Sequence, residues 1–221
     1  MPATQQKTII WDWNGTLLDD ADICLESINT MLQARKLPEL TLASYREVFT
    51  FPVIEYYKKV GFDFNLEPWE PVAMEFINLY LQALPACGLT IFAVETLEKF
   101  KNKGYRQAIV SAMQHDELIK SVTNLGIYPY FDFIGGIGDH YGGGKIENAR
   151  NYLAESGLDP MQTTLIGDTI HDSEVAGELQ CNCILVATGH QSIPRLRETG
   201  RHVISDLSYI NASSIQQSST I

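Results

Sequence analysis

Residues 8–17 read Thr-Ile-Ile-Trp-Asp-Trp-Asn-Gly-Thr-Leu, and this stretch decides the fold. Thr8, Ile9, Ile10 and Trp11 make a short apolar run of the kind that forms a buried strand, and the run stops at the carboxylate of Asp12. Asn14-Gly15 then supplies a turn. The reading is a strand with Asp12 at its C-terminal end.

The same design recurs downstream. Ala108-Ile109-Val110 ends in Ser111, Thr164-Leu165-Ile166 in Gly167-Asp168, and Ile184-Leu185-Val186 in Thr188-Gly189. Between these runs, Ala93, Leu97 and Phe100 repeat at helical spacing and close at Gly104, as Ala149 and Leu153 do at Gly157. Alternating strand and helix predicts an α/β fold, a Rossmann-like parallel sheet flanked by helices. The C-terminal ends of such strands share one edge, where ligands bind, so Asp12, Ser111 and Asp168 are expected to meet.

From about Asp19 to Leu84 the alternation breaks. Cys24, Leu25, Ile28, Met31 and Leu32 fall at helical spacing, as do Val72, Phe76, Leu79 and Tyr80, with Pro68 and Pro71 marking the start of the second helix. The expected division is a core of residues 1–16 and 85–221 carrying a small α-helical insert, residues 17–84, over the site.

Composition limits the partners. A chain of 221 residues with 45% hydrophobic residues buries a substantial core. A net charge of −11 disfavours nucleic acid and anionic membrane surfaces. No run reaches the ~18 apolar residues of a membrane span. Cys24, Cys87, Cys181 and Cys183 form no CxxC pair, and a reduced, cytoplasmic setting is expected. The tail from Ser213 to Thr220 is low in complexity. Oligomeric state stays open.

Four places carry chemistry. A carboxylate at Asp12 can attack phosphorus to give an acyl-phosphate, although an Asp there would equally cap a turn. Asp168 and Asp172 stand four residues apart at the start of a helix, suited to Mg²⁺ or to simple N-capping. The Ser111 hydroxyl and the N–H of Ala112 can hold phosphate oxygens. Lys145 follows Gly142, Gly143 and Gly144 and can bring its ammonium to a phosphoryl group, unless it is solvated. This is no P-loop, because Asp139 and Ile146 stand where glycine and Ser/Thr would be needed. Phe51, Pro52, Tyr56 and Tyr57 can line a pocket in the insert, with packing the commoner role of such aromatics. His171 is expected to be an exposed residue at a helix start, and no catalytic role is assigned to it, His115 or His190.

Taken in order, these residues resemble the haloacid dehalogenase superfamily over nearly the whole chain, especially its phosphoglycolate phosphatase-like and β-phosphoglucomutase-like members. Asp12, Gly15 and Thr16 match its first motif, Ser111 the second, Lys145 the third, and Asp168 with Asp172 the fourth. The resemblance implies Mg²⁺-dependent hydrolysis of a small phosphorylated metabolite. Asp12 would be the nucleophile. The Asp12 carboxylate, the Asn14 main-chain carbonyl and Asp168 would hold the metal, with Asp172 in support, while Ser111 and Lys145 would bind phosphate. The insert would be the family's helical cap.

Asn14 departs from that pattern. The phosphatases carry an acid there that protonates the leaving group and then activates water, and a carboxamide cannot shuttle that proton. Two rivals follow. One is a phosphate-ligand binder with little or no turnover. The other is a phosphonate hydrolase, which requires a Schiff-base lysine in the insert and finds only Lys58 and Lys59, in the wrong local context.

Overall fold

The computed structural model describes residues 6–138, 144–212 and 214–215. Strands β1 (Thr8–Trp11), β2 (Arg106–Gln114), β3 (Phe133–Ile137), β4 (Thr163–Gly167), β5 (Asn182–Val186) and β6 (His202–Ile204) form one sheet. Its order is β3-β2-β1-β4-β5-β6, and every pairing is parallel. β1 is central, and its continuous apolar run suits a strand covered on both faces. Ile9 and Trp11 enter one core cluster and Ile10 the other, as strand alternation requires.

Helices α1 (Ala21–Ala34), α2 (Leu42–Val48), α3 (Val53–Lys59) and α4 (Trp69–Ala83) stand between β1 and β2 as a helical insert. After them come α5 (Ala93–Asn102), α6 (His115–Asn124), α7 (Lys145–Glu155), α8 (Ile170–Glu178) and α9 (Ile193–Arg197). The buried stripe Cys24, Ile28, Met31 and Leu32 of α1 joins Val72 and Tyr80 of α4 in the same cluster as Trp11 and Trp13. The insert is thereby seated on one face of the sheet.

The sequence reading and the structure differ at several points. The insert contains α2 and α3 as well as the two helices expected. β2 does not stop at Ser111 but runs to Gln114, and its register against β3 shifts between Val110 and Gln114. Within that irregularity the Ser111 hydroxyl oxygen accepts from the Met113 N–H at 3.0 Å, a local bond that competes with the ladder. β3 and β6 escape the apolar-run reading because β3 carries Gly135 and Gly136 and β6 has only three residues. Asp139, Gly142, Gly143 and most of the tail after Ser213 lie outside the described residues.

Candidate active site

The register of β1 against its neighbours builds the site. Trp11 lies beside Ile109 of β2 and Ile166 of β4, which brings Asp12, one residue on, level with the same edge as Ser111 and Asp168, two residues on. Asp12 N–H still donates to the Ile166 carbonyl at 2.8 Å, which holds its backbone in line while the chain turns at Asn14-Gly15.

Lys145 is the first residue of α7, delivered by Gly144 in a left-handed conformation (φ 95°). It is only 5% exposed, so the solvated alternative does not hold. Its ammonium donates to Asp12 Oδ1 at 2.5 Å and to Asp172 Oδ1 at 2.6 Å. Asp172 Oδ2 accepts from the Thr169 N–H at 3.0 Å and the Thr169 hydroxyl at 2.7 Å. Asp172 thus caps α8 with one oxygen and faces Lys145 with the other. Asp168 accepts from the Thr16 hydroxyl at 3.2 Å and from the His190 N–H at 2.6 Å.

Asp12, Asp168 and Asp172 each bring an oxygen within 4.8 Å of the others. Crowded, buried carboxylates repel one another, and their proton affinities record it. Burial pushes Asp12 up to about 8, with Lys145 pulling against it and Asp172 and Asp168 adding to the rise. Burial raises Asp168 to about 6 against the pull of His190. Burial opposes the ionised form of Asp172 too, yet Lys145 and the Thr169 hydrogen bonds hold it below its ordinary value. A buried oxygen cluster with this excess of negative charge has the chemistry that a hard divalent cation requires.

Two glycines make room for it. Gly15 adopts φ +70°, and a Cβ there would collide with the Asp168 carboxylate and the His190 ring. A Cβ at Gly189 would strike the same carboxylate. Thr188-Gly189, the turn that ends β5, is therefore part of the site wall.

Asn14 is held from three sides. Its amide nitrogen donates to Asp20 Oδ2 at 2.7 Å and to the Tyr80 hydroxyl at 2.8 Å, and its carbonyl accepts from Ser111 Oγ at 3.3 Å. Asp20 precedes α1 but makes no side-chain cap. Its carboxylate turns inward, accepting from the Gly15 N–H at 2.8 Å and from Tyr80 at 2.8 Å, with His190 Nε2 at 3.3 Å. Burial works against its charge, but His190, Asn14 and Tyr80 hold Asp20 below its ordinary value. Burial likewise opposes the charge on His190, which Asp20 nonetheless holds up at about 9.

Asp20, Tyr80 and His190 belong to the site although the sequence reading gave them no part in it. Asp20 drew no reading, Tyr80 was read only as one residue of a stripe at helical spacing, and His190 was given no catalytic role. His190 is in fact buried between Asp20 and Tyr45, whose hydroxyl lies 2.9 Å from Nδ1. His171 stacks on Phe51 with ring centroids 4.8 Å apart, so it is half-buried and not the exposed residue expected.

A cavity of about 190 Å³ opens over these groups, with Asp12, Asn14, Ala112, Lys145 and Asp168 in its wall. Phe51, Tyr56 and Tyr57 line it from the insert, and Pro52 is not among its lining residues. Neither are Lys58 and Lys59, which are exposed, with Lys58 paired to Glu55 at 2.7 Å. Ser111 stays behind Asn14, and the neighbouring Ala112 reaches the cavity.

A carboxylate at a strand end, an ammonium against it and two further carboxylates, Asp168 just past β4 and Asp172 in the first turn of α8, define an acidic site suited to phosphoryl chemistry. Residues 9–186 match the model of the haloacid dehalogenase-like hydrolase family, and the chain belongs to that family. It is 24% identical over 204 residues to "Probable phosphatase IndB" of Dickeya dadantii, spanning 90% of this chain and 88% of that protein. A haloacid dehalogenase-like hydrolase of Streptococcus pneumoniae shares the fold with TM-score 0.79 at 18% identity, over 93% of this chain and 96% of that one. CbbY of Rhodobacter sphaeroides, solved in complex with phosphate, superimposes with TM-score 0.70 at 14% identity, over 95% and 99% of the two chains.

Proposed function

We propose that this hydrolase is a Mg²⁺-dependent phosphatase acting on a small phosphorylated metabolite through an aspartyl-phosphate on Asp12. The observation that carries the reading is the position of the Lys145 ammonium, buried between Asp12 and Asp172 at the edge where Asp168 also arrives. The matched phosphatase of Dickeya dadantii supports the same activity.

Asp12 attacks phosphorus in line, a new oxygen–phosphorus bond forms, and the bond to the leaving oxygen breaks with its electron pair. Water then attacks the same phosphorus, the bond to Asp12 breaks, and Asp12 returns as a carboxylate. The water's protons end on inorganic phosphate and the departed oxygen. Lys145 neutralises charge on the transferring group and favours the ionised form of Asp12 against the effect of burial. The Ala112 N–H at the cavity wall holds a phosphate oxygen, and the Ser111 hydroxyl joins it by turning from Asn14 towards the cavity. The oxygen-rich set of Asp12, the Asn14 carbonyl and Asp168, with Asp172 in support, fits Mg²⁺, which when bound supplies Lewis-acid stabilisation of the phosphoryl oxygens. Residues 17–84 act as a cap that excludes water and meets the leaving group. The Asn14 side chain supplies no proton to that leaving group.

The test is phosphate release from a phosphomonoester panel with Mg²⁺ and with excess chelator, beside Asp12→Asn and Asp12→Ala. Release should vanish with chelator and in both variants. Activity undiminished in fresh Asp12→Asn, with deamidation excluded by mass spectrometry, would remove Asp12 from the mechanism. A second reading, binding of a phosphorylated ligand without turnover, is favoured by the fixed Asn14 carboxamide. Calorimetric binding with no release across the panel would select it.

A further inference from the structure

The insert side of the cavity is an aromatic wall. Phe49 and Phe51 follow α2, Tyr56 and Tyr57 stand on α3, and Trp69 and Phe76 on α4. They meet edge to face, Phe49 against Phe51 with centroids 5.5 Å apart at 82° and Tyr57 against Trp69 at 5.3 Å and 89°. Tyr56 and Tyr57 are buried, whereas Phe51 and Phe76 keep partly open faces on the cavity. Phe51 stacks on His171 and Phe76 on Tyr80, so both rings are held by neighbours while they also line the cavity.

Charge narrows what can sit there. Among the described lining residues, the groups able to carry positive charge are Lys145 and His190. Each is already held by carboxylates, Lys145 by Asp12 and Asp172 and His190 by Asp20. The remaining charged lining residues, Glu117 among them, are acidic. A second phosphate or a carboxylate on the leaving group would be buried without a partner, which is strongly unfavourable. A polyhydroxylated sugar would need several donors and acceptors; the Tyr45 and Tyr80 hydroxyls are already bonded to His190 and Asp20, and the Tyr56 hydroxyl, without a partner among the described residues, offers a single further polar site.

Leaving-group chemistry points the same way from a different residue. Without an acid at Asn14, a poor alkoxide leaves slowly, whereas a phenolate leaves without a proton. The cavity, at about 190 Å³, is also below the roughly 300 Å³ at which pockets for drug-sized ligands begin. We infer that the substrate is an aryl phosphate monoester whose leaving group is one small, uncharged aromatic ring system. This rests on the phosphatase reading of the site. Asp12 takes the phosphoryl group, the phosphorus–oxygen bond breaks, the leaving oxygen keeps the electron pair and is protonated by water beside the phosphoryl site, and the neutral phenol's ring occupies the aromatic pocket.

The test separates recognition from reactivity by using non-hydrolysable phosphonates with Mg²⁺ in calorimetry. Benzylphosphonate should bind tightest, on the order of tenfold tighter than 3-phosphonopropionate, whose carboxylate lacks a partner. It should also bind more tightly than cyclohexylmethylphosphonate, which matches its size without a π face. Phe76→Leu should weaken benzylphosphonate roughly two- to twelvefold while methylphosphonate affinity is kept. If Phe76→Leu does not fold, Phe51→Leu is read the same way. Equal or tighter binding of the cyclohexyl or carboxylate compound overturns the inference, as does preferential turnover of glucose 6-phosphate over phenyl phosphate, which leaves the phosphatase reading standing. Tight benzylphosphonate binding with no turnover of phenyl phosphate supports the ligand class and overturns the phosphatase reading alone.

Discussion

The amide nitrogen of Asn14 lies 2.7 Å from Asp20 Oδ2, so this carboxamide is tied to a buried carboxylate. Asn14→Asp would set two carboxyl groups against each other where only one can ionise comfortably, and they would titrate as a pair with one value strongly raised. The protonated member could serve as the missing acid. Turnover of alkyl phosphates should rise towards the roughly 10² to 10⁴ that general acid catalysis supplies, while thermal stability falls. Asn14→Asp combined with Asp20→Asn restores the donor–acceptor pair and should recover stability. Asn14-Gly15 is a deamidation-prone pair, so mass spectrometry must accompany each assay. Rapid alkyl phosphate hydrolysis by fresh wild-type protein, with no gain in Asn14→Asp, would show that another group gives the proton.

Lys145 bonds both Asp12 and Asp172 and is almost wholly buried. Lys145→Ala strands two carboxylates in a dry site, and breaking a buried pair in this way costs about 3 to 5 kcal/mol. The expected result in chelator is a large drop in melting temperature, partly reversed by Mg²⁺, together with a raised KM and a lowered kcat. Unchanged stability and kinetics would return Lys145 to a bystander's role.

Proton affinity and metal affinity are linked at Asp12 and Asp168. Both carry folded-state pKa values above the unfolded 3.8, at about 8 and about 6, so folding favours their protonated forms. Without metal, their contribution to stability is fully present below pH 3.8 and is lost as pH rises through 6 and then 8. Mg²⁺ takes the ionised forms and competes with those protons. Melting curves with and without Mg²⁺ should therefore show a larger stabilising shift at pH 8 than at pH 6. An equal shift at both values would place the ion elsewhere.

The core of this fold is legible in the sequence because its central strands are buried on both faces and must read as unbroken apolar runs. Ile9–Trp11 in β1, Leu165–Ile166 in β4 and Cys183–Val186 in β5 do so, and each of these strands delivers polar residues to the same edge. Asp12, Lys145, Asp168 and Asp172 were readable because chemistry fixes their residue types. The Asp20–His190–Tyr80 group was not, since its members come from a helix start, a loop and an apolar helix face, and only tertiary packing brings them together. The aromatic residues of the insert gave a composition but no orientation. Whether such rings face a cavity or one another depends on helix rotation, which spacing alone leaves open.

One of the attachments of the insert to the core is a strap of hydrogen bonds to backbone carbonyls, and its strength can be measured. Arg46, on α2, donates to the Gly189 carbonyl and to the Thr188 carbonyl, both at 2.8 Å. Arg195 returns the contact from α9, donating to the Arg46 carbonyl at 2.9 Å and the Phe49 carbonyl at 2.6 Å, and Gln191 adds a bond to Phe49 at 3.0 Å. These bonds flank His190 and Gly189, so they hold the aromatic wall in register with the Asp168 carboxylate. A hydrogen bond from a charged group contributes about 1.5 to 3 kcal/mol, enough to shift the docking of the insert if it acts as the cap proposed above. Arg46→Met keeps much of the aliphatic stem and removes the two donations. It should raise KM more than it lowers kcat, because substrate must first recruit the docked state. Backbone amides of α2 and α3 should exchange faster with solvent while those of β1 and β4 keep their protection. Exchange that rises uniformly through the sheet would mean that Arg46 supports global stability, and unchanged exchange in α2 would mean that the strap does not govern docking.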